Sequence, residues 1–208
     1  MKELSSILDF SLSDPNKGML FDVRDGQIYQ VVRINNQIWL AENFRYLPSI
    51  EKGDLYCNSW VYKNNNDYLD LHYGRLYDWN TAMNIAPEGW KLPSDKDFQE
   101  LRDFIFKDNN LVEYKEGSYL KSVDGWNYYK NIVNNDKYGF NAKPAGCHNN
   151  NYGKFDNNNY FSGFWSATED SSNYASYWYL NYISEDLYNY SSNDKCYGFS
   201  VRLIKYSL

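Results

Sequence analysis

The 208-residue sequence has few cysteines, few histidines, no run of basic residues and no long apolar stretch. Its three cysteines form no Cys-x-x-Cys pair, which argues against both a disulfide framework and a zinc site. Free thiols are expected, with a Cys147–Cys196 bridge as the alternative. Because Lys and Arg are scattered and the formal net charge is -6, the chain lacks the cationic surface that nucleic-acid binding needs.

Signals for membrane insertion and export are also missing from the printed chain. No apolar run approaches the length that crosses a bilayer, so we expect no membrane span. Residues 1–18 lack the charged and apolar regions of a signal peptide, and the compartment stays open. Leu4, Ile7 and Leu8 have the spacing of a short amphipathic helix. Residues 1–20 are therefore predicted to form a leader helix and linker.

Recognised catalytic patterns are lacking as well. The S-x-x-K pattern occurs at 118–121 and 192–195, but without the S-D-N and K-T-G elements that this chemistry requires. The two histidines, His72 and His148, belong to no His-Glu-x-x-His motif and have no metal-binding partner at a suitable spacing. We therefore expect no catalytic residue, no enzymatic activity and no cofactor.

Acidic residues suggest two alternatives to this expectation. A glycan-acting hydrolase would use paired carboxylates, such as those at 169–170 or 185–186. Adjacent side chains on a strand point in opposite directions, however, so such a pair would not flank one glycosidic bond. Oxygen-rich clusters at 66–70, 156–158 and 193–194 could hold a structural calcium ion, although they lack EF-hand spacing.

Aromatic residues are what the sequence has in excess. They make up 19% of the chain, with 22 Tyr and 7 Trp, which is more than a core of this size needs. Tyrosine combines a flat apolar ring with a polar tip, so surplus tyrosines tend to lie at surfaces and interfaces. An AT-rich genome would also enrich Tyr and Asn. The length favours a single domain, which we place at 21–208.

Alternation and capping signals locate the first elements. Residues 26–34 and 37–41 alternate like half-buried strands, and the Asn35-Asn36 turn between them predicts a β-hairpin. A short helix is predicted over 78–84. Ser94 and Asp97 form a capping-box pattern for a helix over 95–107. The apolar stripe predicted to face the sheet consists of Phe98, Leu101, Phe104 and Ile105.

The C-terminal part alternates strand-like and polar pieces. Strands are predicted over 163–168, 175–182 and 197–205. Loops are predicted over 148–159, 169–175 and 183–195. Trp165 is predicted to be buried. Because loops displayed by a rigid sheet commonly carry function, we look for the binding site there.

Four pieces of the sequence together resemble one bacterial family, the Fibrobacter succinogenes major paralogous domain. They are GQIYQVVRINNQIWLAENF, YGRLYDWNTAM with PEGWKLPSDKDFQEL, YGFNAKPAG, and FWSAT with YGFSVRLI. The resemblance implies an α+β, C-type-lectin-like fold of the sulfatase-modifying-factor branch. Such a fold has a mixed or antiparallel sheet, two flanking helices and a loop-rich C-terminal half, and its terminal strands pair, here 197–205 with 27–34.

The same resemblance implies a binding role and supplies no catalytic set. Two features differ from the family or the wider fold: Ala86 stands where relatives often have Cys, and the calcium-dependent sugar motifs of true C-type lectins are absent. Many members of the family are exported, whereas this chain shows no signal.

The predicted loops have the Tyr, Ser, Gly and Asn composition of antibody paratopes. We therefore expect a non-enzymatic module that binds a glycan or protein partner, with the oligomeric state open. The alternatives are a structural subunit of a surface or phage-like assembly and the hydrolase. A diversity-generating retroelement target is a variant of the binding hypothesis. The predicted ligand-binding residues are Tyr152, Tyr160, Asn173, Tyr174, Trp178, Tyr188, Asn189 and Tyr190.

Overall fold

The computed structural model describes residues 6–47, 59–61, 72–149 and 154–206. The elements of the N-terminal half are β1 (Ile7–Phe10), β2 (Lys17–Asp22), β3 (Gln27–Ile34), β4 (Gln37–Leu40), β5 (Ser59–Trp60), β6 (Leu76–Tyr77), α1 (Trp79–Asn84) and α2 (Asp95–Asp108). A 3-10 turn (Glu116–Tyr119) follows, and then β7 (Cys147–Asn149), β8 (Lys154–Asp156), β9 (Phe161–Glu169), β10 (Tyr174–Asn181), β11 (Tyr188–Asp194), β12 (Phe199–Ser200) and β13 (Ile204–Tyr206).

The described strands form two main sheets. One has five strands in the order β1-β2-β3-β4-β13, and the other has six in the order β11-β10-β9-β12-β6-β5. All strand pairs in them are antiparallel except β12 with β9. Strands β7 and β8 form a separate hairpin. The predicted α+β class, with largely antiparallel sheets and helices α1 and α2, is confirmed.

The predicted hairpin is present as β3 and β4. Asn35 has a φ of 56°, the left-handed conformation that asparagine tolerates better than most residues, and it reverses the chain between the two strands. The register pairs Ile34 with Gln37 and Val32 with Trp39. Trp39 is fully buried, so the hairpin brings one large core side chain into the middle of the five-stranded sheet.

The predicted leader helix is wrong for the described residues. β1 and β2 occupy most of the segment from Ile7 to Asp22 and pair with each other, and β2 also pairs with β3. Burial along β2 alternates strictly, which is the periodicity of a strand. Gly18 permits the close pairing, because a Cβ there would lie 2.2 Å from the backbone oxygen of Asp9. Leu4 lies outside the described residues.

The predicted terminal strand over 197–205 divides in two. β12 joins the six-stranded sheet, whereas β13 joins the five-stranded sheet that contains β3, and its direct partner is β4. The chain between them crosses from one sheet to the other. Its backbone still bonds to the end of β4 and to the segment after it, from Leu40 N to Leu203 O and from Phe44 N to Val201 O. The terminal strand therefore shares the expected sheet, with β4 rather than β3 as its neighbour.

Helix α2 begins as the sequence predicts. The Ser94 hydroxyl accepts from Asp97 N and the Asp97 side chain accepts from Ser94 N, which completes the capping box. Phe98, Leu101 and Ile105 are buried, as expected, and Phe104 is partly buried against the same cluster. The ring of Phe98 stacks on Trp178 at 5.5 Å. No helix of the described residues has the length and apolar character needed to cross a membrane.

Candidate functional site

Strand β10 has two different faces because its side chains alternate. Ser176, Trp178 and Leu180 are buried, and Trp178 packs on Phe98 of helix α2. Its indole Nε1 also donates to Asp95 Oδ1 at 2.8 Å. Since Trp178 is 3% exposed, the expectation that it lies on an accessible binding surface is wrong. The helix covers that face of the sheet, and the opposite face carries the neighbouring tyrosines.

Five aromatic side chains, Phe161, Tyr177, Tyr179, Tyr188 and Tyr190, form a continuous layer across β9, β10 and β11, which we call the aromatic face. The rings of Tyr179 and Tyr188 stack at 5.1 Å and 19°. Tyr177 lies 5.6 Å from both Tyr179 and Tyr190, and Phe161 lies 5.5 Å from Tyr179. Four of the rings are half-buried and Tyr190 is 51% exposed. One side of the layer therefore packs on the sheet, and the other side is accessible to solvent.

A glycine makes room for the base of this layer. An ideal Cβ at Gly163 would lie 2.6 Å from the Phe199 ring and 2.9 Å from the Phe161 ring. Phe199 is buried, its ring stacks on Tyr177 at 4.3 Å, and Trp165 packs edge-on against it at 4.8 Å. The absence of a side chain at Gly163 therefore lets the rings lie directly on the backbone of β9.

Tyr177, Tyr179 and Tyr188 are held as neutral phenols. Burial raises the pKa of Tyr177, Tyr179 and Tyr188 above the ordinary value of a phenol. The Tyr188 hydroxyl bonds to Ser184 Oγ at 2.7 Å. Within the described residues, the hydroxyls of Tyr177, Tyr179 and Tyr190 make no hydrogen bond. Three phenol groups are therefore available to a polar ligand.

The aromatic face ends at an edge strand. The prediction of a loop over 183–195 is wrong for most of its length, because β11 occupies Tyr188–Asp194 and pairs with β10. No described strand pairs with the outer edge of β11. Its middle consists of Asn, Tyr and Ser with high exposure, so unpaired backbone groups and small polar side chains border the aromatic rings.

The other predicted site residues are dispersed. Tyr160 is 46% exposed and packs edge-on against Tyr182 at 5.0 Å, apart from the aromatic face. Tyr174 is 44% exposed at the start of β10, opposite Asp194. Asn173 is exposed, and its carbonyl accepts from Lys195 N. Tyr152 lies outside the described residues.

Asn189 points toward the helix side of the sheet, because its Nδ2 donates to Ser176 Oγ at 2.8 Å. The site that the structure assembles therefore shares only Tyr188 and Tyr190 with the predicted set. Phe161, Tyr177 and Tyr179 were missed. A detectable signal was present, since the alternation in 175–182 places Tyr177 and Tyr179 on one face and Trp178 on the other.

Two of the four acidic groups considered for hydrolysis, one from each pair, have structural partners. Glu169 accepts a hydrogen bond from Lys195 Nζ, which also donates to the carbonyls of Ser171 and Ser172. Glu185 accepts from Ser118 Oγ at 3.3 Å and lies 3.8 Å from Lys115 Nζ. These hydrogen bonds and ion pairs hold loops in place, so Glu169 and Glu185 both have a structural role.

The oxygen-rich clusters and cysteines are also located. Asp156 ends strand β8 and residues 157–158 follow it, residues 193–194 end β11, and residues 66–70 lie outside the described residues. Within the described residues, no group of three His, Cys, Asp or Glu side chains has the geometry to hold a metal ion. Cys147 is a buried free thiol and Cys196 is an exposed free thiol, whereas Cys57 lies outside the described residues.

Comparison with known proteins adds one family match. The family model of the Fibrobacter succinogenes major domain matches residues 32–205. That range starts within β3 and contains helices α1 and α2, the aromatic face and the first residues of β13. No curated protein and no solved structure matches the chain at a significant level. Since the matched range covers most of the sequence, the chain belongs to the Fibrobacter succinogenes major domain family.

Proposed function

We propose that this protein is a non-enzymatic module that binds a glycan or protein partner on the aromatic face. The observation that carries the proposal is the open layer of five touching rings, with three free phenol groups among them. Flat aromatic rings contribute a large apolar contact area at a low cost in side-chain entropy, and Asn and Ser beside them supply adaptable hydrogen bonds. An exposed aromatic surface with a polar rim is typical of interaction sites.

The experiment compares three proteins on a glycan array and against extracts of bacterial surface proteins. The wild type is expected to capture a partner, and the Tyr179→Ala/Tyr190→Ala double variant is expected to lose it. The matched control is Tyr128→Ala, which removes a tyrosine that is 84% exposed and absent from the aromatic face. Capture by the glycan array alone or by the extract alone identifies the partner class. Undiminished capture by the double variant, with its fold intact by circular dichroism, would contradict the proposal.

We further propose that the fold is C-type-lectin-like, of the sulfatase-modifying-factor branch. Three features support this: the terminal strand β13 lies in the sheet of the N-terminal strands, α1 and α2 flank the sheets, and irregular chain dominates residues 109–146. An experimental structure superposed on that fold tests it. The retroelement-target variant, in which the C-terminal half is rewritten at Asn codons, would additionally require a near-identical template repeat beside the gene.

A structural subunit of a surface or phage-like assembly is the second candidate, and one observation favours it. Ile7, Phe21 and Ile28 lie side by side on β1, β2 and β3 and are 59%, 38% and 50% exposed. These three positions precede the residues matched by the family model. An apolar row on the outer face of a sheet is a common contact between subunits. Light scattering coupled to size exclusion tests it, with an oligomer that Ile28→Ser dissociates as the expected result.

A further inference from the structure

A polar pocket of about 420 Å³ lies where β2 and β3 meet the segment after β4 and the turn over 136–143. Its polar lining includes Lys17, Gln30, Glu42, Asp136, Asn141 and Lys143. No residue of the aromatic face lines it. The volume falls within the range of roughly 300–1,000 Å³ that small-molecule sites occupy. The pocket is therefore a second site, separate from the aromatic face.

The wall formed by residues 136–143 is held in an unusual conformation. Asp136 and Asn141 have positive φ values of 45° and 52°, and Asn141 N donates to Asp136 Oδ1 at 2.7 Å. Behind the wall, the buried guanidinium of Arg202 donates to the carbonyl oxygens of Phe140 and Asn141. Backbone held in a sparsely populated region persists only where its surroundings impose it. The turn is thus a preorganised wall rather than a free loop.

Most charged side chains of the lining are paired with oppositely charged residues that lie beside the pocket. Glu42 accepts from Gln30 N at 2.6 Å and from Arg45 at 2.5 Å. Lys17 and Lys143 each form an ion pair with an aspartate. Only Asp136 has no direct ion pair within the described residues, and the buried Arg202 lies behind it as a compensating charge. Besides these four side chains and the imidazole of His72, the described part of the lining carries no titratable group, and the two lysines balance the two carboxylates. These charges therefore select neither an anion nor a cation.

Three lining side chains have polar atoms that are free to bond a ligand. Within the described residues, Asp136 Oδ2 and the side-chain amides of Gln30 and Asn141 make no hydrogen bond. A carboxylate oxygen accepts, and each amide both donates and accepts. Hydroxyl groups complement this set, because each can donate to the carboxylate or an amide oxygen and accept from an amide nitrogen.

We propose that this pocket binds one neutral sugar ring, with Asp136 accepting from its hydroxyls and with Asn141 and Gln30 bonding the others. The paired charges disfavour ionic ligands, since a charged sugar would bring an uncompensated charge to a balanced site. The proposal goes beyond the proposed function and does not depend on it, because the pocket and the aromatic face share no residue.

Saturation-transfer NMR with a panel of neutral aldohexoses, aldopentoses and N-acetylhexosamines tests the proposal, with glucuronate and inorganic phosphate as charged probes. We expect at least one neutral sugar to bind and both charged probes to fail. Asp136→Asn keeps the size and the bond from Asn141 N but weakens the acceptor, and it is expected to lower affinity by about tenfold. Gln30→Ala, on the exposed part of β3, should fold normally and lower affinity less.

The matched control is Tyr190→Ala, which alters the aromatic face and should leave sugar affinity unchanged. If the wild type captures no partner but still binds a sugar, only the proposal for the aromatic face is overturned. If it captures a partner but binds no sugar, only the proposal for the pocket is overturned. The pocket proposal is also overturned if no neutral sugar binds the wild type, if glucuronate or phosphate binds equally well, or if both pocket variants bind as the wild type does while their spectra show a native fold.

Discussion

The guanidinium of Arg202 donates from Nε to the side-chain oxygen of Asn43 at 2.7 Å, although the two residues are 159 positions apart in the sequence. The same group donates to the carbonyls of Leu40, Phe140 and Asn141. It is fully buried, and its burial lowers the pKa of Arg202 to about 9. One side chain therefore joins the segment after β4, the turn at the polar pocket and the crossing between the two sheets.

Arg202→Lys is expected to destabilise the protein by about 3 kcal/mol. A lysine ammonium cannot reproduce the planar, multiply donating guanidinium. One or two of its buried acceptors therefore lose their donor, at a cost of roughly 1–3 kcal/mol each. Denaturant unfolding of Arg202→Lys and of Arg102→Lys, a partly exposed arginine of helix α2, measures the difference. Equal midpoints for the two variants would show that the Arg202 fork is not needed.

Trp165→Ala is expected to cost about 3–5 kcal/mol, the usual range for truncating a large core aromatic. The side chain is fully buried, and its Nε1 donates to the Tyr77 carbonyl at 2.7 Å. Thermal and denaturant unfolding provide the measurement. Tyr128→Ala is the control, because it removes an aromatic that is 84% exposed and should change stability by only about 0.5 kcal/mol or less. Similar losses for the two variants would refute the assignment.

Gly163→Ala is expected to destabilise the protein by roughly 1–3 kcal/mol, the usual cost of overpacking, and to weaken ligand capture by the aromatic face. The new methyl group would meet the ring of Phe199 at 2.6 Å and displace the layer above it. Gly26→Asn is a suitable control. Gly26 has open space around it and a φ of 74°, which asparagine tolerates. Unchanged stability and capture in Gly163→Ala would mean that the rings do not depend on this glycine.

Asp136→Asn is expected to change how stability depends on pH. Burial raises the pKa of Asp136 to about 6 from an ordinary value of 3.8, so the folded state holds this proton more tightly than the unfolded state. The contribution of Asp136 to stability is complete below pH 3.8 and is lost as pH rises to about 6. Asparagine does not titrate, so the unfolding free energy of Asp136→Asn does not fall for this reason as the pH rises. Unfolding free energies of both proteins from pH 4 to pH 7 measure it, and parallel curves would contradict the shifted pKa.

Short-range signals in the sequence were sufficient for two features of the fold, one hairpin and one helix. The β3–β4 hairpin depends on alternation and on an asparagine that accepts a positive φ, and both are properties of adjacent residues. Helix α2 depends on the Ser94–Asp97 capping box and on an apolar stripe with helical spacing. The family motifs likewise lie in consecutive residues, and so the membership in the Fibrobacter succinogenes major domain family could be predicted.

Features that depend on distant partners could not be predicted. Strands β1 and β11 have no decisive local signal, because a strand is stable only when another strand supplies its hydrogen bonds. Alternation separates Tyr177 and Tyr179 from Trp178, but it does not say which face helix α2 covers. Only the tertiary structure decided that Trp178 is inside and the tyrosines outside. The polar pocket is equally non-local, since Gln30 and Asp136 line it from separate parts of the chain and Arg202, from a third, bonds to the carbonyls of its wall. Its shape and charge balance therefore exist only after folding.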